Sequence, residues 1–385
     1  MSSSKDLKIL IVDDKPNMRR TIANMLRQIG YKDIRDADDG DTAMKLLMSH
    51  KFDFVICDWN MPRMKGIEVL KKMRSDDTLK PTPFLMVTAE VEESTVAEAA
   101  EAGLDGYIIK PFIPETLHNR MKEILEKKQN PDELETKFQL GMTLFNVRQY
   151  DQAMQAFQSI LKISPNSPRT YHAIGQIYEE KDDIASAQRA YKKALELSPK
   201  FIKAHERLAK IYEKAEDSQE ALKHIEAALK ISPKNPERNV QLGKIQLTMG
   251  KPQKAKEAFD KAVKLEPDNA ERLTEIGEAF LETGYSEDAT EAFQSSLDLN
   301  PENIHVYNRL GIALRKQNKY EEAILEYQKA LKIDPENEYV LFNIGRVYQE
   351  RELKEDAIKY FKKALELYED FPEAKAALKE LGEKV

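Results

Sequence analysis

One cysteine, Cys57, in 385 residues excludes an intramolecular disulfide and any all-cysteine metal site. Glycine and proline are also sparse, at 14 and 17, too few for a collagen-like or proline-rich disordered chain. No apolar run approaches the ~20 residues that span a bilayer; the longest clean stretches are ILIV at 9–12 and FLMV at 84–87. The opening MSSSKDLK lacks the apolar core of a secretory signal, so a reducing, cytoplasmic compartment and no membrane partner are expected. Sixty basic residues stand against 67 acidic ones, a net charge of −7, which leaves no basic footprint for nucleic acid. What remains is a chain 41% hydrophobic and 33% charged, long enough for two or three domains with buried cores.

The chain has two grammars. Up to about residue 128, short apolar runs alternate with helix-length segments: LKILIV (7–12), DIRDA (33–37), FDFVIC (52–57), PFLMV (83–87) and GYIIK (106–110). Between the first two, Met18, Ile22, Met25, Leu26 and Ile29 recur with helical spacing. Strand–helix alternation predicts a doubly wound α/β domain with a parallel five-stranded sheet, over residues 5–128. From about 134 onward the strand signal is gone and Ala, Leu, Glu, Lys and Gln dominate. The boundary falls at Asn130-Pro131, after the Lys-rich helix end EKKQ, because proline disfavours helix at its predecessor.

A period of 34 residues organises the second part. Gly occupies 141, 175, 243, 277, 311 and 345, with Ala209 in the gap. Alanine follows at 153, 187, 221, 255, 289, 323 and 357, and a large apolar residue at Phe157, Tyr191, Ile225, Phe259, Phe293, Tyr327 and Phe361. Proline stands at 165, 199, 233, 267, 301 and 335; for a residue this rare, six hits in register by chance is on the order of 10⁻⁸. The pattern resembles the tetratricopeptide repeat: seven units over 134–368, an all-α superhelix whose small column lets paired helices touch. Residues 371–382 read as a capping helix that solvates the last repeat.

The chemistry-bearing residues lie in the first part. Asp13 and Asp14 end the first strand, Asp58 the third, Thr88 the fourth and Lys110 the fifth, which places them along one edge of a parallel sheet, where ligands enter. Carboxylates gathered there repel, and either hold a proton or recruit a divalent cation. Hard oxygen ligands suit Mg²⁺, with Lys110 and Thr88 suited to the oxygens of a transferring phosphoryl group and Asp58 as nucleophile.

LIVDD (10–14), CDWNMP (57–62), MVTAE (86–90) and GYIIKPF (106–112) resemble the receiver domain of bacterial response regulators, the chemotaxis (CheY-type) receiver above all; that receiver is a standard example of this doubly wound sheet. The resemblance implies that Asp58 is the phosphoacceptor and that Asp13, Asp14, Asp58 and the backbone carbonyl of Asn60 hold Mg²⁺. It further implies that Thr88 and Lys110 contact the phosphoryl group, that Tyr107 is an aromatic switch, and that the Lys110-Pro111 bond is cis. Asn60 and Glu90 flank the hydrolytic water in the family, which implies rapid self-dephosphorylation. Beyond this self-phosphorylation and dephosphorylation no enzymatic activity is expected. Two departures stand out: Lys15-Pro16 beside the acidic pair, and glutamates at 92, 93, 98 and 101 in a segment that carries lysines in the chemotaxis receiver, which argues against binding a flagellar motor.

Cys57, inside an apolar run, reads as a buried small hydrophobe, and Trp59 as a partly exposed loop aromatic; the six histidines show no ligand spacing. In the repeats, positions six, three and two before the Gly column and one after it line the concave groove. They nominate Arg169, His172, Gln176, Lys203, Arg207, Lys210, Asn308, Arg309, Asn343 and Arg346 for binding a protein or peptide. The leading expectation is a response regulator phosphorylated by a sensor histidine kinase or a small phosphodonor, with the repeats as output. The alternative is a phosphate sink or chemotaxis-motor-type ligand in which the repeats only anchor the receiver.

Overall fold

The computed structural model describes residues 6–89, 98, 99, 101–129 and 133–383. The first part runs β1 (Ile9–Val12), α1 (Pro16–Ile29), β2 (Ile34–Ala37), α2 (Gly40–Ser49), β3 (Phe54–Asp58), α3 (Gly66–Ser75), β4 (Phe84–Thr88), β5 (Gly106–Ile109) and α4 (Pro114–Gln129). All pairings are parallel and the order is β2-β1-β3-β4-β5, so the chain reverses direction of winding beside β1. Side-chain parity sorts the core. Leu10, Val12, Val55, Cys57, Phe84 and Met86 face α2 and α3, whereas Ile9, Ile11, Phe54, Ile56, Leu85 and Val87 face α1 and α4. Strands buried on both faces therefore read as unbroken apolar runs.

Among the described residues fifteen further helices follow, α5 (Glu133–Asn146) to α19 (Pro372–Glu380), their starts recurring about every 34 residues. Where Gly stands in the small column, an added Cβ would lie 2.2 to 2.6 Å from the ring of the aromatic column, as Gly243 against Phe259. Side-chain caps hold many helix starts: Ser167, Asp183, Asn235, Asn269, Asn303 and Asn337 each accept a backbone N–H three positions on, replacing a bond the first turn lacks. The turn within each repeat passes through the left-handed region at Arg148, Asp182, Glu216, Gly250, Gly284, Asn318 and Glu352, a column the glycine pattern alone does not announce.

Contacts group the chain into two compact units, residues through Ile211 with Lys230–Pro233, and Tyr212–Leu229 with Lys234–Val385. In the first, Phe138, Phe157, Ile160, Ala173, Ile174 and Ile177 build the repeat core. In the second, a continuous core runs from Val240 to Val347. At its far end Phe371, Ala374, Ala377 and Leu378 of the terminal segment pack on Leu341, Ala357 and Phe361.

Candidate functional site

The carboxyl edge of the sheet brings the titratable residues together. The Lys110 amine donates to Asp58 Oδ1 at 2.6 Å and to Asp13 Oδ2 at 3.0 Å. Asp13 is fully buried, and its Oδ1 accepts the Lys15 backbone N–H at 2.9 Å, so the carboxylate is fixed from two sides. Burial pushes the Asp58 carboxyl above the usual range; the Lys110 bond opposes that and the neighbouring Asp13 and Asp14 charges add to it. Lys110 shows the converse. Burial pulls its amine down, yet the bonds to Asp58 and Asp13 outweigh it and the net shift is upward. One ammonium, Lys110, thus bridges two carboxylates, Asp58 and Asp13, and Asp14 adds a third acidic side chain beside them.

Asp14 is the site's unfinished element. Its Oδ1 is buried and makes no hydrogen bond, a costly state for a carboxylate oxygen. An orphaned carboxylate oxygen near Asp13 and Asp58 is the chemistry a hard divalent cation such as Mg²⁺ takes, although among the described residues the three carboxylates do not close into a metal-ligating group while Lys110 bridges Asp13 and Asp58. Asn60 is exposed on the loop after β3 and Lys15 is exposed beside Asp14. Thr88 is buried at the end of β4, and its carbonyl accepts the Lys110 N–H at 2.7 Å, which ties β5 to β4 at the height of Asp58. The Lys110-Pro111 bond is cis. Tyr107 projects outward from β5, 36% exposed. Glu90, expected near the hydrolytic water, lies outside the described residues.

Two residues that the sequence reading passed over support this edge. Gly66 opens α3 where a Cβ would come within 2.1 Å of the Asp58 carbonyl, and its N–H donates to the Trp59 carbonyl at 3.0 Å; a lone Gly before an apolar helix was the available signal. Arg19 donates from Nη1 to the Asp13 carbonyl at 2.8 Å and from Nε to Asp36 at 2.7 Å, a bridge that no spacing rule announces. Cys57 is fully buried with its thiol pushed well up by burial. Trp59 is half-buried against the α2–α3 side of the core.

In the first compact unit Arg169, His172, Gln176, Lys203 and Arg207 line one cavity of about 1130 Å³; Lys210 is exposed outside its lining. Arg169 stacks on Phe138 at 3.7 Å and pairs with Glu135 at 2.7 Å. Arg207 pairs with Glu179, which also accepts the Tyr191 hydroxyl. In the second unit Asn343 donates to Asn308 at 2.8 Å, Arg309 pairs with Glu278 at 3.3 Å, and Arg346 donates to Gln349 at 3.0 Å.

Comparison with known proteins agrees with both halves. The response regulator receiver domain family matches residues 9–122. The family of the cilia and flagella-associated protein 70 C-terminal domain matches 115–340, and a tetratricopeptide repeat family 314–381. The chemotaxis protein CheY-3 of Vibrio cholerae is 49% identical over 124 residues, 32% of this chain and 95% of that protein. CheY of Pseudomonas aeruginosa is 49% identical over 121 residues, 31% and 98%. A crystal structure of the C-terminal part of a TPR repeat-containing protein from Cytophaga hutchinsonii superposes with a TM-score of 0.51 at 20% identity, over 63% of this chain and 99% of that one, a likeness of fold alone. The amino-terminal sheet with its acidic edge and the 34-residue helical array thus have separate relatives, and the chain belongs to the response regulators, with a CheY-type receiver followed by tetratricopeptide repeats.

Proposed function

We propose that this protein is a cytoplasmic phosphorelay response regulator whose Asp58 accepts a phosphoryl group and whose repeats bind a protein or peptide in response. One observation carries the reading: Lys110 bridges Asp58 and Asp13 at the sheet edge while a buried oxygen of Asp14 has no partner. Asp13, Asp14, Asp58 and the Asn60 carbonyl would hold Mg²⁺, which supplies charge neutralisation for the incoming phosphoryl oxygens. An Asp58 carboxylate oxygen attacks phosphorus, the bond to the donor's leaving group breaks, and an acyl phosphate remains. The donor is the phosphohistidine of a sensor kinase or a small acyl phosphate. Lys110, already at Asp58, exchanges the carboxylate for a phosphoryl oxygen, and the Thr88 hydroxyl supplies a second donor. Water then attacks the acyl phosphate, releasing inorganic phosphate and regenerating the Asp58 carboxylate, so the protein catalyses its own phosphorylation and dephosphorylation and no other reaction.

Incubation with acetyl phosphate and Mg²⁺ is expected to add one phosphoryl group, read by intact mass. Asp58→Asn abolishes the gain. Chelating the metal, or replacing Asp13 and Asp14 together by Asn, suppresses it at least tenfold. A wild-type mass gain in Asp58→Asn would overturn the assignment.

A further inference from the structure

The cavity in the first repeats has a wall that the repeats do not supply. Glu101, on the segment between β4 and β5, lines it together with Phe138, His172, Phe201, Lys203 and Arg207. The Glu101 carboxylate accepts a hydrogen bond from the Ser232 hydroxyl at 3.3 Å, and Ser232, in the connection between helices Ser218–Ile231 and Pro236–Thr248, is buried. A receiver carboxylate thus sits at the rim of the groove assigned above to a peptide.

The rest of the lining is chemically matched to such a group. Lys203 makes no ion pair or hydrogen bond among the described residues. Arg207 shares Glu179 with Tyr191. His172 is 8% exposed, its ring held between Tyr191 and Phe201, and its buried Nε2 has no partner. Burial, with Arg207 and Lys203 nearby, lowers its pKa to about 3, so the imidazole is neutral near pH 7 and the positive charge rests on the two cations. An apolar floor of Phe138, Met142 and Ala173 takes small aliphatic side chains beside the carboxylate.

The receiver end of the contact leads directly to the phosphorylation site. Glu98 is tied to Lys71 at 3.0 Å, the Gly103 carbonyl to Arg74 at 2.9 Å, and Asp105 to Arg74 at 2.7 Å and to the Phe84 N–H at 2.7 Å. β5 follows at once and ends beside Lys110, the residue bonded to Asp58. A change at Lys110 therefore has nine residues of tethered chain to travel to Glu101.

We infer that the cavity serves two alternative occupants: the Glu101 edge of the receiver in the resting chain, and a carboxylate-bearing peptide with small aliphatic neighbours once Asp58 is phosphorylated. This rests on the reading of Asp58 as phosphoacceptor and of the groove as a peptide site. The receiver is then a competitor in cis, and linkage makes the relation reciprocal: a bound peptide favours phosphorylation by the same factor that phosphorylation favours the peptide.

The full chain carrying Glu101→Cys and Ser232→Cys tests the contact; Cys57 is buried and stays out of exchange. Under mild oxidation the two thiols are expected to bridge in the resting chain. With acetyl phosphate and Mg²⁺ the bridging slows at least fivefold, and adding Asp58→Asn restores the resting rate, with phosphoryl loading read by intact mass in the same samples. No bridge at rest, or equal rates with full phosphoryl loading, overturns the inference and leaves the phosphoacceptor reading standing. No mass gain overturns both. A labelled peptide of the chain's own sequence EAAEAGL (98–104) probes the cavity: Glu101→Gln is expected to bind it at least fivefold tighter than wild type, and Lys203→Ala with Arg207→Ala to lose it. Equal binding by wild type and Glu101→Gln counts against competition in cis.

Discussion

Asp58 illustrates the tension between a reactive side chain and a stable one. Burial raises its pKa above the ordinary 3.8, so the folded state binds the proton more tightly than the unfolded state does. Stability from this group is full below the unfolded value and declines as pH rises through the folded one. At pH 7 the ionised carboxylate is a liability, and Asp58→Asn is expected to raise the melting temperature while abolishing phosphorylation; an unchanged or lower melting temperature would count against a destabilising carboxylate. His172 has the opposite sign of dependence. Its folded pKa of about 3 lies below the ordinary 6.5, so its contribution is complete above pH 6.5 and is lost as pH falls. Between pH 7 and pH 5 the loss is about 2 kcal/mol. Phe stands at the corresponding position of the first and last repeats, Phe138 and Phe342, so His172→Phe is expected to fold and to remove that part of the acid sensitivity, checked by chemical denaturation at the two pH values. At this scale the sequence was readable where chemistry is local. Asp13, Asp14, Asp58, Thr88 and Lys110 end strands and could be placed by counting. Arg19 and Glu101 were not placed, because their partners are far along the chain and lie on elements that no periodicity connects to them.

The 34-residue columns identified which residues pair, because a missing Cβ and a large ring complement each other at close range. Gly277→Ala would put a carbon 2.6 Å from Phe293, and the forced repacking is expected to cost about 1–3 kcal/mol in a denaturant midpoint. The left-handed turn column was not legible, since only Gly250 and Gly284 of its seven members are glycine and Asp182 and Asn318 are the only others of a type that favours a positive φ, while Arg148, Glu216 and Glu352 give no such signal. Its backbone requirement is shared all the same. Glu352→Gly is expected to stabilise the last repeat by about 1 kcal/mol, and Gly284→Ala, where nothing lies within 4 Å of the added carbon, to destabilise by a similar amount through backbone strain alone. Opposite signs from two exposed turn positions cannot arise from packing, which makes the pair a clean check. The caps tell a related story: Asn269, Asn303 and Asn337 hold helix starts, whereas the equivalent Phe371 gives up the cap and buries its ring against Phe342 at 5.0 Å.

Across the whole molecule, a repeat buries its apolar face only against its neighbours, so stability is a sum of local interfaces and the ends are its weak points. The terminal helix Pro372–Glu380 meets that weakness with Ala374, Ala377 and Leu378, all buried, and with Phe371 seated on Tyr339, Phe342 and Tyr368. Sequence pattern located this segment because the repeat's proline gave way to Glu369; the aromatic cluster that anchors it was hidden, since its four rings come from four different columns. Ending the chain at Tyr368 removes Phe371 and Leu378 together and uncovers Leu341, Phe342 and Phe361. Truncating a buried Phe alone costs about 3–5 kcal/mol, enough to unravel one repeat but not a sheet domain more than two hundred residues away. The truncated chain is therefore expected to lose amide-exchange protection in the helices Glu338–Glu350 and Lys354–Leu367, to associate in light scattering through the uncovered face, and to keep wild-type protection in β1, β3 and β4. The milder Phe371→Ala shows the same order of loss with less association. Protection lost evenly along the chain would mean that the repeats and the sheet unfold as one cooperative body, and local summation would fail as a description of this array.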